Sequence, residues 1–318
     1  MRLPPPEVMA TWPAPNYIDP ETRGPALLIV QFITLPIALL CLALRLYVKL
    51  SITRKSGWDD WLMVAAAIFG IGLTLCVILA TSLYGWNIHV WDLTVEDIVS
   101  GRRVSFIAQC LFIPATAFAK VSILISYLRL APLDSWFRRL TYASLCYVIL
   151  SSIAFFLSFS LSACNPTSSY WDIFGSNRNC IPEGPPLVSH AVATLAADFA
   201  VWIIPLPALY KARLPLLQRI ALIILFSFGS LVVVAACIRT YWVHYVIEET
   251  FDVTWEGFHL WIWTAVEVHL GMVCGCVPWL KSLFNLWKTK RAGVAGPAAG
   301  SEGRRRSDAR MTWRAAAT

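Results

Sequence analysis

Residues 26–48 read ALLIVQFITLPIALLCLALRLYV, an apolar run whose one charge, Arg45, sits near its far end. A helix rises 1.5 Å per residue, so about 20 such residues cross a hydrocarbon layer of roughly 30 Å. The same reading applies six more times: Trp61–Leu83, Val104–Leu128, Leu140–Ala163, Val188–Leu209, Ile220–Val243 and His259–Leu280. Isolated prolines at 36, 114, 205 and 207 do not defeat it, because neighbouring helices and Ser/Thr side chains satisfy the freed carbonyls. Composition agrees over the 318 residues: 58% are hydrophobic, 14% are charged and the mean hydropathy is +0.62. So few charges cannot cover a water-facing surface, which excludes an ordinary cytosolic enzyme, a disordered chain, a collagen and a small disulfide scaffold. The expected fold class is all-α: a polytopic membrane protein with seven transmembrane helices.

The loops orient it. Eighteen of the 26 Lys and Arg fall on one side: Lys49, Arg54 and Lys55; Arg129, Arg138 and Arg139; Lys211, Arg213 and Arg219; and nine after Leu280. Five fall on the other: Arg2, Arg23, Arg102, Arg103 and Arg178. The positive-inside rule then puts the N-terminus outside and the C-terminus in the cytosol. Three regions are expected: a short extracellular segment at 1–25, a seven-helix membrane domain at 26–287, and a disordered basic cytosolic tail at 288–318. Residues 1–25 are Pro-rich with no apolar stretch, so the first helix is expected to serve as an uncleaved insertion signal. The net charge of +7 follows from these topogenic loops, and no nucleic-acid partner is expected from it.

Seven of nine cysteines lie in apolar runs and read as small packing residues without metal-ligand spacing. Cys164 and Cys180 share the outer loop between the fourth and fifth helices. An oxidising exterior favours their disulfide; two unpaired thiols are the alternative. On the same side, His89 and Asp92 suggest a polar pair, too few for a metal site. Leu93, Glu96, Asp97, Ile98 and Val99 suggest a short interfacial helix.

Charges inside the bilayer are costly, so they face protein or water. Asp198 in the fifth run, Arg239 in the sixth and Glu267 in the seventh fall at overlapping depths. In the third, Ser105, Gln109, Thr116, Lys120 and Tyr127 share a narrow arc at 100° per residue. Two readings follow. One is an outward-opening ligand pocket lined by Asp198, Arg239 and Glu267, with Lys120, Gln109 and Thr116 on one wall. The other is a buried ion-pair network that fixes helix packing. Arg45, near a helix end, is expected to snorkel to the headgroups. Asp59 and Asp60 are expected to pair with Arg54 and Lys55.

An ordered set of motifs runs through the chain: Gly57-Trp-Asp-Asp-Trp61, His89-Val-Trp-Asp92, Lys120-Val-Ser-Ile-Leu124, Tyr127-Leu-Arg129, Cys164-Asn-Pro166 with Trp171 and Cys180, Asp198 with Pro205-Leu-Pro207, Gly229 with Arg239, and Glu267 with Pro278. In this the chain resembles the fungal rhodopsin-domain family of integral membrane proteins, over roughly Ala26–Trp287. That family includes satratoxin-cluster proteins and receptor-like proteins. The resemblance implies seven helices and a multi-pass location in the plasma membrane or an endomembrane. It also implies a receptor-like role associated with a fungal secondary-metabolite pathway. The alternatives are a membrane-embedded, cyclase-like enzyme on a lipophilic metabolite, with buried Asp and Glu as proton donors, and a transporter, for which no inverted repeat is visible. A retinal Schiff base needs a lysine in the seventh helix, and residues 259–280 contain none. No cofactor is expected. The expected partners are membrane lipids, a lipophilic small-molecule ligand and a cytosolic signalling partner.

Overall fold

The computed structural model describes residues 4–54, 56–130, 135–162, 164, 167–171, 180–206 and 216–294. Seven of its helices are long and apolar enough to cross a membrane. They are α1 (Ala26–Tyr47), α2 (Trp58–Leu83), α3 (Val95–Leu130), α4 (Ser135–Ser162), α5 (Gly184–Ile203), α6 (Leu216–His244) and α7 (Val253–Val294). There is no strand among the described residues, only the isolated bridges Thr22–Ile88 and Cys164–Cys180. The chain divides into two units, Met1–Pro278 and Trp279–Thr318. Of the sequence features above, Arg2, Lys55, Asn165, Pro166, Arg178, Pro207, Lys211, Arg213 and the tail beyond 294 lie outside the described residues.

Capping chemistry sets where the helices begin. The Asp60 carboxylate accepts from the Gly57 N–H at 3.0 Å, starting α2 three residues before its apolar run. Thr94 does the same for α3: its hydroxyl accepts from the Asp97 N–H at 3.2 Å and donates to the Asp97 carboxylate at 2.6 Å. The separate interfacial helix expected at 93–99 is therefore the first turns of α3. Nothing between Val95 and Val104 breaks the hydrogen-bond ladder, so the 36-residue helix runs about 54 Å, well beyond the hydrocarbon thickness. α1 and α6 end instead in π-helical turns, Val48–Thr53 and Tyr245–Glu249.

Burial sorts the seven. α3 is the most enclosed and packs on α2, α4 and α5. α7 is next, and glycines let it close in. A Cβ on Gly70 of α2 would lie 3.3 Å from Met272, and one on Gly275 would overlap Met63 of α2. α4 is the least buried; Leu150, Ile153, Phe156 and Leu157 stand exposed, as a lipid-facing helix requires. The larger core cluster runs from Leu27 and Met63 through Phe112, Leu124 and Val201 to Trp261 and Met272, and a smaller one joins Ile113, Phe159, Cys164 and Tyr170.

At the end of the bundle bearing the Lys/Arg-rich loops, two expectations are corrected. Arg45 does not snorkel: it is fully buried. Its Nη2 lies 2.9 Å from Asp59 Oδ2, its Nε 3.0 Å from Asp60 Oδ1, and its Nη1 donates to the Gly275 carbonyl at 2.8 Å. Lys49, one turn on, reaches both acids at 3.3 and 3.2 Å, and Arg129 of α3 also bonds Asp59. Residues i and i+4 share a helix face. Arg45 and Lys49 turn theirs to the start of α2 and hold the two acids in place of Arg54, while Lys55 lies outside the described residues. Ser122 of α3 adds a 2.5 Å bond to the Asp59 carbonyl.

At the opposite end, His89 pairs not with Asp92 but with Asp252, Nδ1 to Oδ2 at 2.5 Å. Asp252 also accepts from the Val90 N–H at 3.0 Å, while Asp92 accepts from the Asn16 N–H at 2.8 Å. The His89 ring is sandwiched by Trp91 and Trp255, with centroids 4.3 and 3.7 Å away. Arg23 reaches Glu256 at 2.8 Å, which ties the segment before α1 to the start of α7.

Candidate functional site

The long α3, the start of α5, the end of α6 and the start of α7 do not close on one another at this end. They surround a cavity of about 540 Å³. Its walls are aromatic and aliphatic: Trp86, Phe112, Phe159, Tyr170, Leu260 and Trp261. Trp86 and Trp261 stack at 4.8 Å and form one side. The Cys164–Cys180 disulfide holds the α4–α5 loop, and residues 180–183 of that loop with the first two residues of α5 form another side.

The mouth is polar. Arg102 reaches Glu183 at 2.5 Å, donates to the Tyr170 carbonyl at 2.9 Å, and stands 4.8 Å over the Tyr170 ring. Burial pushes the Glu183 carboxyl up, the charge and hydrogen bond of Arg102 are among the effects that pull it down, and together these leave it below its usual range. Burial and the Glu183 charge hold the Tyr170 hydroxyl above its usual range, so it stays neutral.

Arg239 closes the floor. It is 3% exposed, its Nε lies 2.5 Å from Glu267 Oε2, and its guanidinium sits 4.8 Å over the Phe112 ring. Beside it, Gln109 Nε2 and His190 Nδ1 are 3.5 Å apart, and Thr264 completes the polar lining. A lower pair lies beyond this floor. Lys120 Nζ is 3.0 Å from Asp198 Oδ2 and donates to the Thr194 carbonyl at 3.2 Å. Asp198, Glu267, Lys120 and Thr116 line a second cavity of about 50 Å³, room for a water or two. Arg239 Nη2 and Glu267 Oε1 have no hydrogen-bond partner among the described residues.

The six sequence-marked pocket residues therefore divide. Arg239 and Gln109 border the large cavity; Asp198, Glu267, Lys120 and Thr116 border the small one. Thr116 is occupied by its own helix, donating to the Phe112 carbonyl at 3.0 Å. Sequence reasoning missed the Arg102–Glu183 pair, because Glu183 lies in a loop with no periodicity to place it. It also missed the facing of Trp86 and Trp261, which lie far apart in the chain. His190 carried a signal in its i+4 and i+8 spacing to Thr194 and Asp198, and its ring nitrogen lies 3.3 Å from Thr194 Oγ1.

Comparison with known proteins fits this architecture. Residues 44–286 match the family described as the fungal rhodopsin domain. The chain is similar to Receptor GIN3 of Arthrobotrys oligospora, 24% identical over 77% of this chain and 58% of that protein. It is similar to Fugralins biosynthesis cluster protein 2 of Gibberella zeae, 21% identical over 85% of this chain and 68% of that protein. It is also similar to Wortmanamides biosynthesis cluster protein C of Talaromyces wortmannii, 25% identical over 78% and 68%. The chain thus spans 58% of the length of the GIN3 receptor. No solved structure matches it. The chain belongs to the fungal rhodopsin domain family and is a multi-pass membrane protein.

Proposed function

We propose that this member of the fungal rhodopsin domain family is receptor-like: it takes a lipophilic small molecule into the cavity at the disulfide end. The cavity of about 540 Å³ carries the reading, since it has the size, the aromatic walls and the few convergent polar groups of a small-molecule site. The N-terminus and the cavity mouth face outward. The membrane domain covers 26–287, and the basic loops and the tail at 288–318 meet a cytosolic partner. One relative carries a receptor name and two carry biosynthesis-cluster names, which supports a receptor that answers to a secondary metabolite.

Catalysis is the weaker reading for a specific reason. A proton donor must reach within hydrogen-bond distance of the reacting group. Asp198 and Glu267, the acids on which the cyclase-like reading relies, face the 50 Å³ cavity rather than the large one; of the carboxylates lining the large one, Glu183 is ion-paired to Arg102 and Asp97 accepts from Thr94. Deleting the gene in its host separates the two. A receptor leaves every metabolite skeleton intact and changes transcript levels on exposure to the ligand-bearing culture medium. An enzyme leaves an accumulated precursor and a missing product. Ser105 lines the large cavity, so Ser105→Phe is expected to reproduce the receptor phenotype by filling it. A missing product with unchanged transcripts contradicts the proposal.

A further inference from the structure

We infer that the cavity accepts a neutral lipophile carrying a hydroxyl group, seated on the face of α3 that bears Ser105 and Gln109. The inference rests on the reading of this cavity as a ligand site. Both residues line the cavity and both are part-buried. Among the described residues neither Ser105 Oγ nor Gln109 Oε1 has a hydrogen-bond partner, and neither is a fully buried atom. The other end of the Gln109 amide is engaged, with Nε2 3.5 Å from His190 Nδ1. His190 Nε2 lies 3.3 Å from Thr194 Oγ1; with Nε2–H donating there, Nδ1 accepts from Gln109 and leaves Oε1 as the open acceptor. Ser105 and Gln109 stand one turn apart on one helix face, about 6 Å along the axis. A hydroxyl oxygen about 2.8 Å from each atom bridges that gap, donating to Gln109 Oε1 and accepting from the Ser105 hydroxyl.

The protein itself answers the cations around the cavity. Arg102 pairs with Glu183 and Arg239 with Glu267, so neither guanidinium is left for an anion. Asp97 and Glu248 add negative charge to the lining, which repels an anionic head group. A cation is drawn elsewhere: Asp97 precedes Ser105 on α3 by about 12 Å along the axis, so an ammonium held there stays at the polar mouth, away from the seat. Hydrogen bonding then separates the neutral groups. A carbonyl or an ether accepts from Ser105 but leaves Gln109 Oε1 desolvated and unmatched, and an alkyl chain leaves both so. A hydroxyl satisfies the two with one atom. Trp86, Phe159, Leu260 and Trp261 leave the remaining volume to an apolar body.

The test uses the full chain in lipid nanodiscs and ligand-observed saturation-transfer NMR, with 4-phenylbutan-1-ol and its methyl ether as probes. The two differ in the hydroxyl hydrogen, and protein-free nanodiscs give the correction for partition into lipid. The wild type is expected to bind the alcohol about tenfold or more tightly than the ether, since the ether leaves one acceptor unmatched. Gln109→Leu removes that acceptor, and in it the preference is expected to vanish while both probes still bind. Ser105→Ala is expected to weaken both probes and keep the preference, because both accept from that hydroxyl. Neither substitution touches a charge, so folding is not at stake in the comparison. Equal corrected affinities in the wild type, a preference that survives Gln109→Leu, or unchanged binding in Ser105→Ala overturns the hydroxyl assignment and leaves the cavity as a ligand site. Tighter binding of 4-phenylbutylamine or 4-phenylbutyrate than of the alcohol does the same. If neither the alcohol nor the ether binds above protein-free nanodiscs, or if Ser105→Phe leaves binding unchanged, both readings fall.

Discussion

Arg45 is the residue whose role changes most between sequence and structure. A guanidinium near the end of an apolar run has the chemistry to stretch toward lipid headgroups, and nothing in residues 26–48 says otherwise. It is instead fully buried, holding Asp59, Asp60 and a carbonyl of α7. Removing one partner of a buried ion cluster leaves the others uncompensated and costs about 3–5 kcal/mol. Arg45→Met is therefore expected to lower the thermal midpoint of the purified protein by many degrees and to reduce folded yield. Arg54→Met, on a side chain outside the cluster, is expected to do neither; equal effects would contradict the assignment. Arg239 and Glu267 make the second residue-scale case. At 2.5 Å, both buried, they should be strongly coupled. A double-mutant cycle with Arg239→Gln and Glu267→Gln is expected to show a coupling energy above about 1 kcal/mol in chemical unfolding, and additive losses would break the pair. The prominence of these charges is legible from sequence, because ions stand out in apolar runs. Their pairing is not, because it depends on the rotation of each helix about its own axis. Lys120, marked as one wall of a pocket, is in this way the partner of Asp198.

Among the elements, the α4–α5 loop does most to shape the site. Cys164 and Cys180 are 16 residues apart, and closing such a loop removes unfolded-state freedom corresponding to about 3 kcal/mol in the chain-entropy treatment. Cys164→Ser/Cys180→Ser is expected to lower thermal stability and loosen the wall formed by residues 180–185, while the seven helices persist by circular dichroism. The Arg102–Glu183 pair ties the same wall to α3. The Glu183 carboxyl is held below its ordinary 4.5, so the folded state binds its proton less readily than the unfolded chain does. Its contribution to stability is complete above about pH 4.5 and is lost as the pH falls below that value. The wild type is therefore expected to lose thermal stability between pH 5 and 3 more steeply than Glu183→Gln; parallel profiles would contradict the pairing. Helix existence was readable from apolar length, but helix ends were not. α3 overshoots its apolar run because Thr94 and Asp97 cap it early. α1 continues through a π-turn that no periodicity signals.

For the whole molecule, the most deeply buried ion pairs lie at two levels of a largely apolar bundle. One cluster joins α1, α2, α3 and α7 at the end with the basic loops. The other sits beneath the large cavity, where α6 meets α7 and α3 meets α5. α3 runs through both and contributes Gln109 and Lys120 to one and Arg129 to the other. A receptor-like molecule needs such an element between its ligand site and its far end, though the coupling itself must be measured. The seven-helix count was fully legible, because lipid imposes a length and a composition on every crossing. The large cavity was not, since it exists only where four separate helix ends stop short of one another.

The proposed receptor role requires an open cavity whose mouth faces outward. Ser105 lies within it, part-way between mouth and floor. The direct measurement is labelling of Ser105→Cys in intact cells with a membrane-impermeant methanethiosulfonate reagent, against the wild type as background for its native thiols. Rapid labelling before permeabilisation, slowed by Leu260→Trp, is the result expected here. Labelling that needs permeabilised cells would contradict a mouth exposed at the cell surface, and none under either condition would show that the cavity does not open.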